Sequence, residues 1–451
     1  MLLHLAKALR PNSLLKALSG AAVLWRFLPD DHSDAATIHQ TFCQEVWREG
    51  GTTKRIILVL GFVFWAPTFV VFSMISSWRC GARVRRDTDK GLLRQVWEQI
   101  QLAMRYAVPP PWYYIFELYD DDRRARAGKY IYRFETKRSL YLLLREQLSS
   151  PETMMALSDK AAFALRCQAN AVPVVAALAK VIDRIITRLD GVSDGLPHQD
   201  LFLKPIHGTG GKGASQWRYE KRDGNYYGTS GASLSEAGLM DHVQRLSETE
   251  GYVIRALATN HPQIADLSPG ALSTIRVMTC LDEQGHPEVT HAVLRMASNG
   301  DVLVDNFHAG GIAACIDIRT GRLGPATDMG LRPDSRWWES HPTTGGQILG
   351  RTVPFWGTVK DVACRAHRAF SDHVLIGWDI ALVDGGPVLV EGNKGPDLDI
   401  IQRIYQEPAG TSRLGHLLVF HLGRALEKKY GSGARTARYG WPVDTEESAP
   451  P

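Results

Sequence analysis

Four stretches of the chain carry residue types whose spacing could do chemistry. In L-F-L-K-P-I-H-G-T-G-G-K-G, residues 201–213, a predicted strand ends in Lys204 and enters a loop holding Gly208, Gly210, Gly211, Lys212 and Gly213. Glycines let backbone N–H groups approach a phosphate closely, and a lysine supplies fixed positive charge. The spacing is not that of a Walker loop, and the following W-R-Y-E reads as a strand rather than a helix. The loop is either a lid over phosphates or a glycine-rich hairpin turn without a ligand. In G-W-D-I-A-L-V-D-G-G-P-V-L-V-E-G-N, residues 377–393, two strands joined by D-G-G-P bring Asp379 near Glu391. Asn393 lies two residues beyond Glu391 and so shares its face. Three such oxygen donors suit Mg²⁺ that keeps waters and also holds phosphate oxygens, with buried acids paired with arginine as the alternative. Arg276, within the apolar S-T-I-R-V-M-T, needs an anionic partner, which a phosphate, an acyl phosphate or a carboxylate would supply. Asp159-Lys160 stands at a predicted helix start and means nothing alone.

The elements that must position these residues fall into two textures. L-L-R-Q-V-W-E-Q-I-Q-L-A-M-R-Y has helical spacing and ends at Pro109-Pro110-Pro111, and most of residues 90–150 reads as helix. The aromatic run Trp112, Tyr113, Tyr114, Phe116 and Tyr119 reads as core. Residues 159–190 also read as helix, with Asp159 as a cap. Beyond residue 200 short β-rich runs alternate with glycine, among them Y-V-I-R-A-L, V-T-H-A-V-L-R-M and D-V-L-V-D-N-F. This division predicts membrane-facing helices over 1–89, a helical region over 90–154, a catalytic domain over 155–430 and a flexible tail over 431–451.

Composition narrows the class. The 451 residues carry a net charge of +4, too slight to argue for nucleic acid, and the 44% hydrophobic share excludes wholesale disorder. Six cysteines lie far apart without a C-x-x-C, which fits thiols kept reduced in a cytosol. One window departs from the average. Residues 56–75 hold no charge, enough for a bilayer-spanning helix, with Lys54 and Arg55 before them and Arg79, Arg83, Arg85 and Arg86 after. That charge bias would leave the downstream part in the cytoplasm, associated with the inner membrane. A buried hairpin or a membrane-surface segment fits the same run. Residues 1–28 mix leucines with Lys7, Arg10 and Lys16 as a basic amphipathic helix would.

In their order, these pieces resemble the ATP-grasp superfamily, and more narrowly the sugar-transfer-associated ATP-grasp proteins found with bacterial exopolysaccharide genes. The resemblance rests on D-K-A-A-F-A-L-R-C, F-L-K-P with its glycine loop, and D-I-A with P-V-L-V-E-G-N. P-P-P-W-Y-Y-I-F-E-L-Y, N-H-P at 260–262, S-T-I-R-V, V-D-N-F-H-A-G-G and H-P-T-T-G-G-Q-I-L-G-R-T-V-P-F-W extend it over most of residues 90–425. It implies an α+β ATP-grasp fold, two subdomains gripping a nucleotide, here preceded by helices with a hydrophobic, membrane-embedded segment. It further implies ATP and one or two Mg²⁺, with Lys160 and Lys204 on the nucleotide and Gly208 to Gly213 covering the phosphates, Lys212 assisting. Asp379, Glu391 and Asn393 would hold the metal, and Arg276 the transferring phosphoryl group. His308 is the first candidate for acid/base work, while Asp305, Asn306 and His341 could bind an acceptor. One departure stands out: where relatives tend to carry Gln-Glu in the hinge strand, this chain has Arg255 and Ala256, which cannot accept ribose hydroxyls as a Glu would. The implied activity is a carboxylate ligase working through an acyl phosphate, on a saccharide-linked or other small carboxylate. A phosphotransferase on the same scaffold and an inactive membrane-tethered binding protein are the alternatives.

Overall fold

Helix α1, Asp34–Arg48, opens the described part of the chain in the computed structural model, which describes residues 31–48, 55–56, 58–59, 65–189, 191, 195–207, 213–229, 231–299, 305, 307 and 310–431. Helices α2 (Trp65–Thr88) and α3 (Leu92–Tyr106) follow as a packed pair. The predicted end of α3 holds: Ala107 turns left-handed as its cap, and the three prolines come next. The aromatic run is core, with Trp112, Tyr113, Tyr114 and Phe116 all buried. Helices α4 (Tyr141–Leu148) and α5 (Lys160–Ala169) complete this half.

Two antiparallel sheets form the rest. The first contains β1 (Ala177–Ile182), β2 (Ile185–Arg188), β3 (Leu201–Pro205), β4 (Ser215–Glu220), β5 (Asn225–Gly228), β6 (Ser233–Leu234) and β7 (Tyr252–Ala256), in the order β2-β1-β7-β3-β4-β5-β6. Helix α6, Glu236–Leu246, covers it through Leu239 and Val243. The second sheet contains β8 (Thr274–Leu281), β9 (Pro287–Met296), β10 (Ile312–Ile316), β11 (Leu323–Thr327), β12 (Trp337–Trp338), β13 (Leu375–Val383) and β14 (Gly386–Asn393). Its order is β12-β11-β10-β9-β8-β13-β14. Val175 N donates to Leu389 O at 2.9 Å, and Leu389 N to Pro173 O at 2.8 Å, stitching the start of β1 to β14.

The sheet faces explain the layers. Ile275, Val277, Ile376, Trp378 and Ile380 point to one side of the second sheet, where helix α7 (Trp356–Ala369) and Phe163 of α5 cover them. Met278, Cys280 and Val293 join a cluster on the other side with α1, the aromatic run, and helices α8 (Leu398–Tyr405) and α9 (Arg413–Tyr430). Buried Arg403 of α8 ties this layer together, donating to Ile115 O and Thr327 Oγ1, each at 2.8 Å. Lys429 of α9 reaches the buried carboxylate of Glu45 on α1 at 2.7 Å. The amino-terminal helices therefore share one core with the carboxyl-terminal ones, burying apolar surface worth roughly 25 cal/mol per Å².

Two expectations need correction. The helix foreseen over 159–190 stops at Ala169, because Asn170 and Pro173 break it, and the A-L-A-K-V-I that follows pairs with β2 and β7 instead. The membrane helix foreseen over 56–75 is not supported. Residues 57 and 60–64 lie outside the described residues, as do 1–30, and among the described residues no helix is long and apolar enough to cross a membrane. Helix α2 instead runs on through Arg79, Arg83, Arg85 and Arg86, and buries Ser73, Ser77 and Arg83.

Candidate active site

Each site residue owes its place to a local feature of the chain. On β3 the alternation of L-F-L-K-P buries Leu201 and Leu203 on one face and turns Phe202 and Lys204 to the other. Arg255 of β7 lies opposite Phe202 in register. At the start of α5, Asp159 caps the helix by accepting from Ala161 N at 2.8 Å and Ala162 N at 3.2 Å, which fixes Lys160 on its first turn. On the second sheet Asp379 of β13 sits between Arg276 of β8 and Glu391 of β14. The hairpin foreseen over 377–393 forms in that register.

These faces enclose a cleft of about 560 Å³. Its apolar wall includes Leu157, Phe163, Val175, Phe202 and Leu257. Its polar floor is an alternating ladder of charge. Lys204 Nζ reaches across from the first sheet to Glu391 Oε2 at 2.9 Å. Arg276 grips Asp379 with two bonds, 2.5 Å from Nε and 3.1 Å from Nη2. Arg295 of β9 adds contacts of 3.4 Å to both Asp379 oxygens and donates to Asp305 at 2.5 Å. Thr274 holds the other Asp305 oxygen through its N–H at 2.8 Å and its hydroxyl at 2.5 Å. Asn393 Nδ2 lies 3.4 Å from Asp379 Oδ2. Lys160 Nζ donates to Ile206 O at 2.5 Å. Buried Arg255 donates to Val390 O at 2.9 Å and to Lys160 O at 3.3 Å, bracing both neighbours of the Lys204–Glu391 contact.

Electrostatics follow from this placement. Burial alone would raise the Glu391 carboxyl, but the charge and hydrogen bond of Lys204, with Lys160 and Arg276 behind them, hold it well below the usual carboxylate range. Burial pushes the Lys160 ammonium down to about 8, and repulsion from Lys204 and Arg255 works in the same direction. A floor so rich in cations lacks anions rather than cations, and a polyphosphate would complete it.

The donor chemistry of Asp379, Glu391 and Asn393 is compatible with Mg²⁺. Among the described residues no three His, Cys, Asp or Glu side chains gather as a cage. Asp379, Glu391 and Asn393 nonetheless supply two carboxylates and an amide on adjoining strands, the set that suits Mg²⁺ sharing its remaining positions with water and phosphate. Every carboxylate oxygen has a second lone pair, so the contacts to arginine and lysine leave room for an ion.

Of the residues anticipated for the site, Lys160, Lys204, Arg276, Asp379, Glu391 and Asn393 line this one cleft. Gly213 is described at the end of its loop with φ +72°, where a Cβ would press on Pro205 at 2.9 Å. Gly208, Gly210, Gly211, Lys212, Asn306 and His308 lie outside the described residues. The strand–loop–strand setting of that glycine loop is as foreseen, with β4 antiparallel to β3. His341, foreseen beside the cleft, is instead buried and satisfied: it contacts Ala297 O at 2.8 Å and accepts from Thr343 and Thr344 N–H groups. Arg276 takes a carboxylate partner here, the plainest of its three anticipated options. Arg295 was missed, although V-L-R-M carries the signal that marked Arg276, a charge inside an apolar strand.

No curated protein matches the chain. Among solved structures it is similar to D-alanyl-alanine synthetase A from Vibrio cholerae, at 10% identity and TM-score 0.36 over 61% of this chain and 67% of that one. It is similar to the D-alanine–D-alanine ligase from Bacillus anthracis, at 11% identity and TM-score 0.35 over 69% of this chain and 84% of that one. With the L-amino acid ligase from Bacillus licheniformis it shares 11% identity and a TM-score of 0.34 over 61% of its own length, spanning about half of that chain, 49%. The family described as sugar-transfer associated ATP-grasp matches residues 142–415, well over half the sequence and every part of the cleft, and the chain belongs to that family.

Proposed function

We propose that the chain is an ATP- and Mg²⁺-dependent carboxylate ligase acting in exopolysaccharide or cell-surface metabolite synthesis, with its catalytic part in the cytoplasm at the inner membrane. The observation that carries this reading is the Lys204–Glu391 contact across the cleft, where a cation of one sheet meets an anion of the other within a cation-rich floor. Lys160 and Lys204 would hold the nucleotide phosphates, and the loop from Gly208 to Gly213, with Lys212, would cover them. Asp379, Glu391 and Asn393 would hold Mg²⁺, which when bound neutralises phosphate charge. Arg276 and Arg295 would compensate the charge of a transferring phosphoryl group.

In the proposed reaction a substrate carboxylate oxygen attacks the γ-phosphorus, and the bond to ADP breaks. An amine or other nucleophile then attacks the acyl carbon, and inorganic phosphate leaves. The substrate class is an amino acid, a small peptide or a saccharide-linked carboxylate. Trapping with hydroxylamine tests the reading: the full chain with Mg-ATP and a panel of such acids should yield a hydroxamate and ADP in an acid-dependent manner. A stable phosphorylated sugar would instead identify a phosphotransferase. Mg-ATP binding without turnover of any acid would favour a binding protein.

A further inference from the structure

Helices α2 and α3 turn polar as well as apolar side chains inward. Beside buried Val84 and Leu102, Gln99 Nε2 donates to Ser77 Oγ at 2.9 Å, Gln95 Nε2 to Gly81 O at 3.0 Å, and Tyr113 hydroxyl to Glu98 at 2.6 Å. Gln95, Glu98, Gln99, Ser73, Ser77 and Arg83 are all buried. The outward sides of the two helices carry apolar stripes. Val71, Met74 and Trp78 follow one another at helical spacing along α2, with Trp78 76% exposed. Leu93, Trp97 and Met104 do so along α3, and they are 89%, 58% and 69% exposed. A surface helix in water usually turns polar residues outward, so two adjoining exposed apolar stripes mark this face as a candidate interaction surface.

The charges say what that is. Arg79, Arg85, Arg86, Arg94 and Arg105 are exposed on the same two helices. The acids there are fewer: Glu98 is turned inward to Lys90 at 3.1 Å, and Asp87 lies at the far end of α2 beside Arg86. Exposed tryptophans with a surround of arginine match the boundary between acyl chains and anionic headgroups. Since no helix among the described residues can cross a bilayer, the fit is to its surface. We propose that the outer face of α2 and α3 docks the chain on an anionic lipid surface, lying in the headgroup plane rather than spanning it.

Flotation of the full chain with phosphatidylcholine vesicles, with and without phosphatidylglycerol, tests the proposal. Wild type should float with the anionic vesicles, and less so at high salt. A double variant, Trp78→Glu with Trp97→Glu, should lose about tenfold or more in apparent affinity, as should a triple variant, Arg79→Gln, Arg85→Gln and Arg86→Gln. All these positions are exposed, so circular dichroism should match wild type, and Mg-ATP binding, if present, should be unchanged in each variant. Failure of wild type to float would overturn the proposal. So would equal flotation of wild type and both variants, which would assign the attachment to another segment. A wild-type dimer in light scattering that the tryptophan changes convert to monomer, without vesicle binding, would instead make this face an interface between two copies.

Discussion

Lys160 and Lys204 approach the cleft from different elements, and Lys204 meets a carboxylate there, at 2.9 Å from Glu391. Lys160 donates to a carbonyl and is held down to about 8 by burial first and by Lys204 next. Its positive form is complete below that value and is lost as pH rises through it. Nucleotide binding by wild type should therefore weaken between about pH 7 and pH 9, and Lys160→Arg should flatten that decline, because the guanidinium stays charged. Affinity for Mg-ATP measured across this range checks it, and a flat wild-type profile would remove Lys160 from the phosphate contacts. Asp379 is a poor residue for probing metal binding. Its removal would strand Arg276 in a largely buried place, at a cost of about 3–5 kcal/mol, while Arg295 would keep its bond to Asp305. Glu391, with 28% of its side chain exposed and one lysine partner, is the better choice.

At the scale of elements, the cap of α5 connects helix stability to the site. Asp159 accepts from two backbone N–H groups and from Lys180 at 3.1 Å, and Lys160 follows it directly. Asp159→Ala should cost about 1 kcal/mol of stability and weaken nucleotide binding, while Asp159→Asn, which keeps the cap acceptor, should recover most of the stability. Denaturant unfolding and titration with Mg-ATP separate the two effects. This cap was legible in the sequence, as were the hairpin that pairs Asp379 with Glu391 and the strand that ends at Lys204, because each depends on near neighbours. The strand β1 was not. Its A-L-A-K-V-I continues a helical run, and only pairing with β2 and β7, the latter some seventy residues away, makes it a strand. Arg255 was visible as a departure from its relatives, yet its bonds to Val390 O and Lys160 O needed the two sheets in place.

Among the described residues, one core joins the amino-terminal helices to the carboxyl-terminal ones, and two sheets close on a charged cleft. The charge-free run at 56–75 was the feature most easily misread. Hydropathy counts side chains without asking which way they point, and α2 buries Ser73, Ser77 and Arg83 while leaving Met74 and Trp78 outside. By contrast, the order of the motifs along the chain pointed to Lys160, Lys204, Arg276, Asp379, Glu391 and Asn393 of the cleft, while it missed Arg295 and misplaced His341. The proposed function requires this cleft to hold Mg-nucleotide between Lys204 and Glu391. Calorimetric titration of the full chain with Mg-ATP tests it most directly. The expected result is one site in wild type, with affinity reduced about tenfold or more in both Lys204→Ala and Glu391→Ala. A folded wild type that binds no Mg-ATP, or two variants that bind it as tightly as wild type, would contradict it.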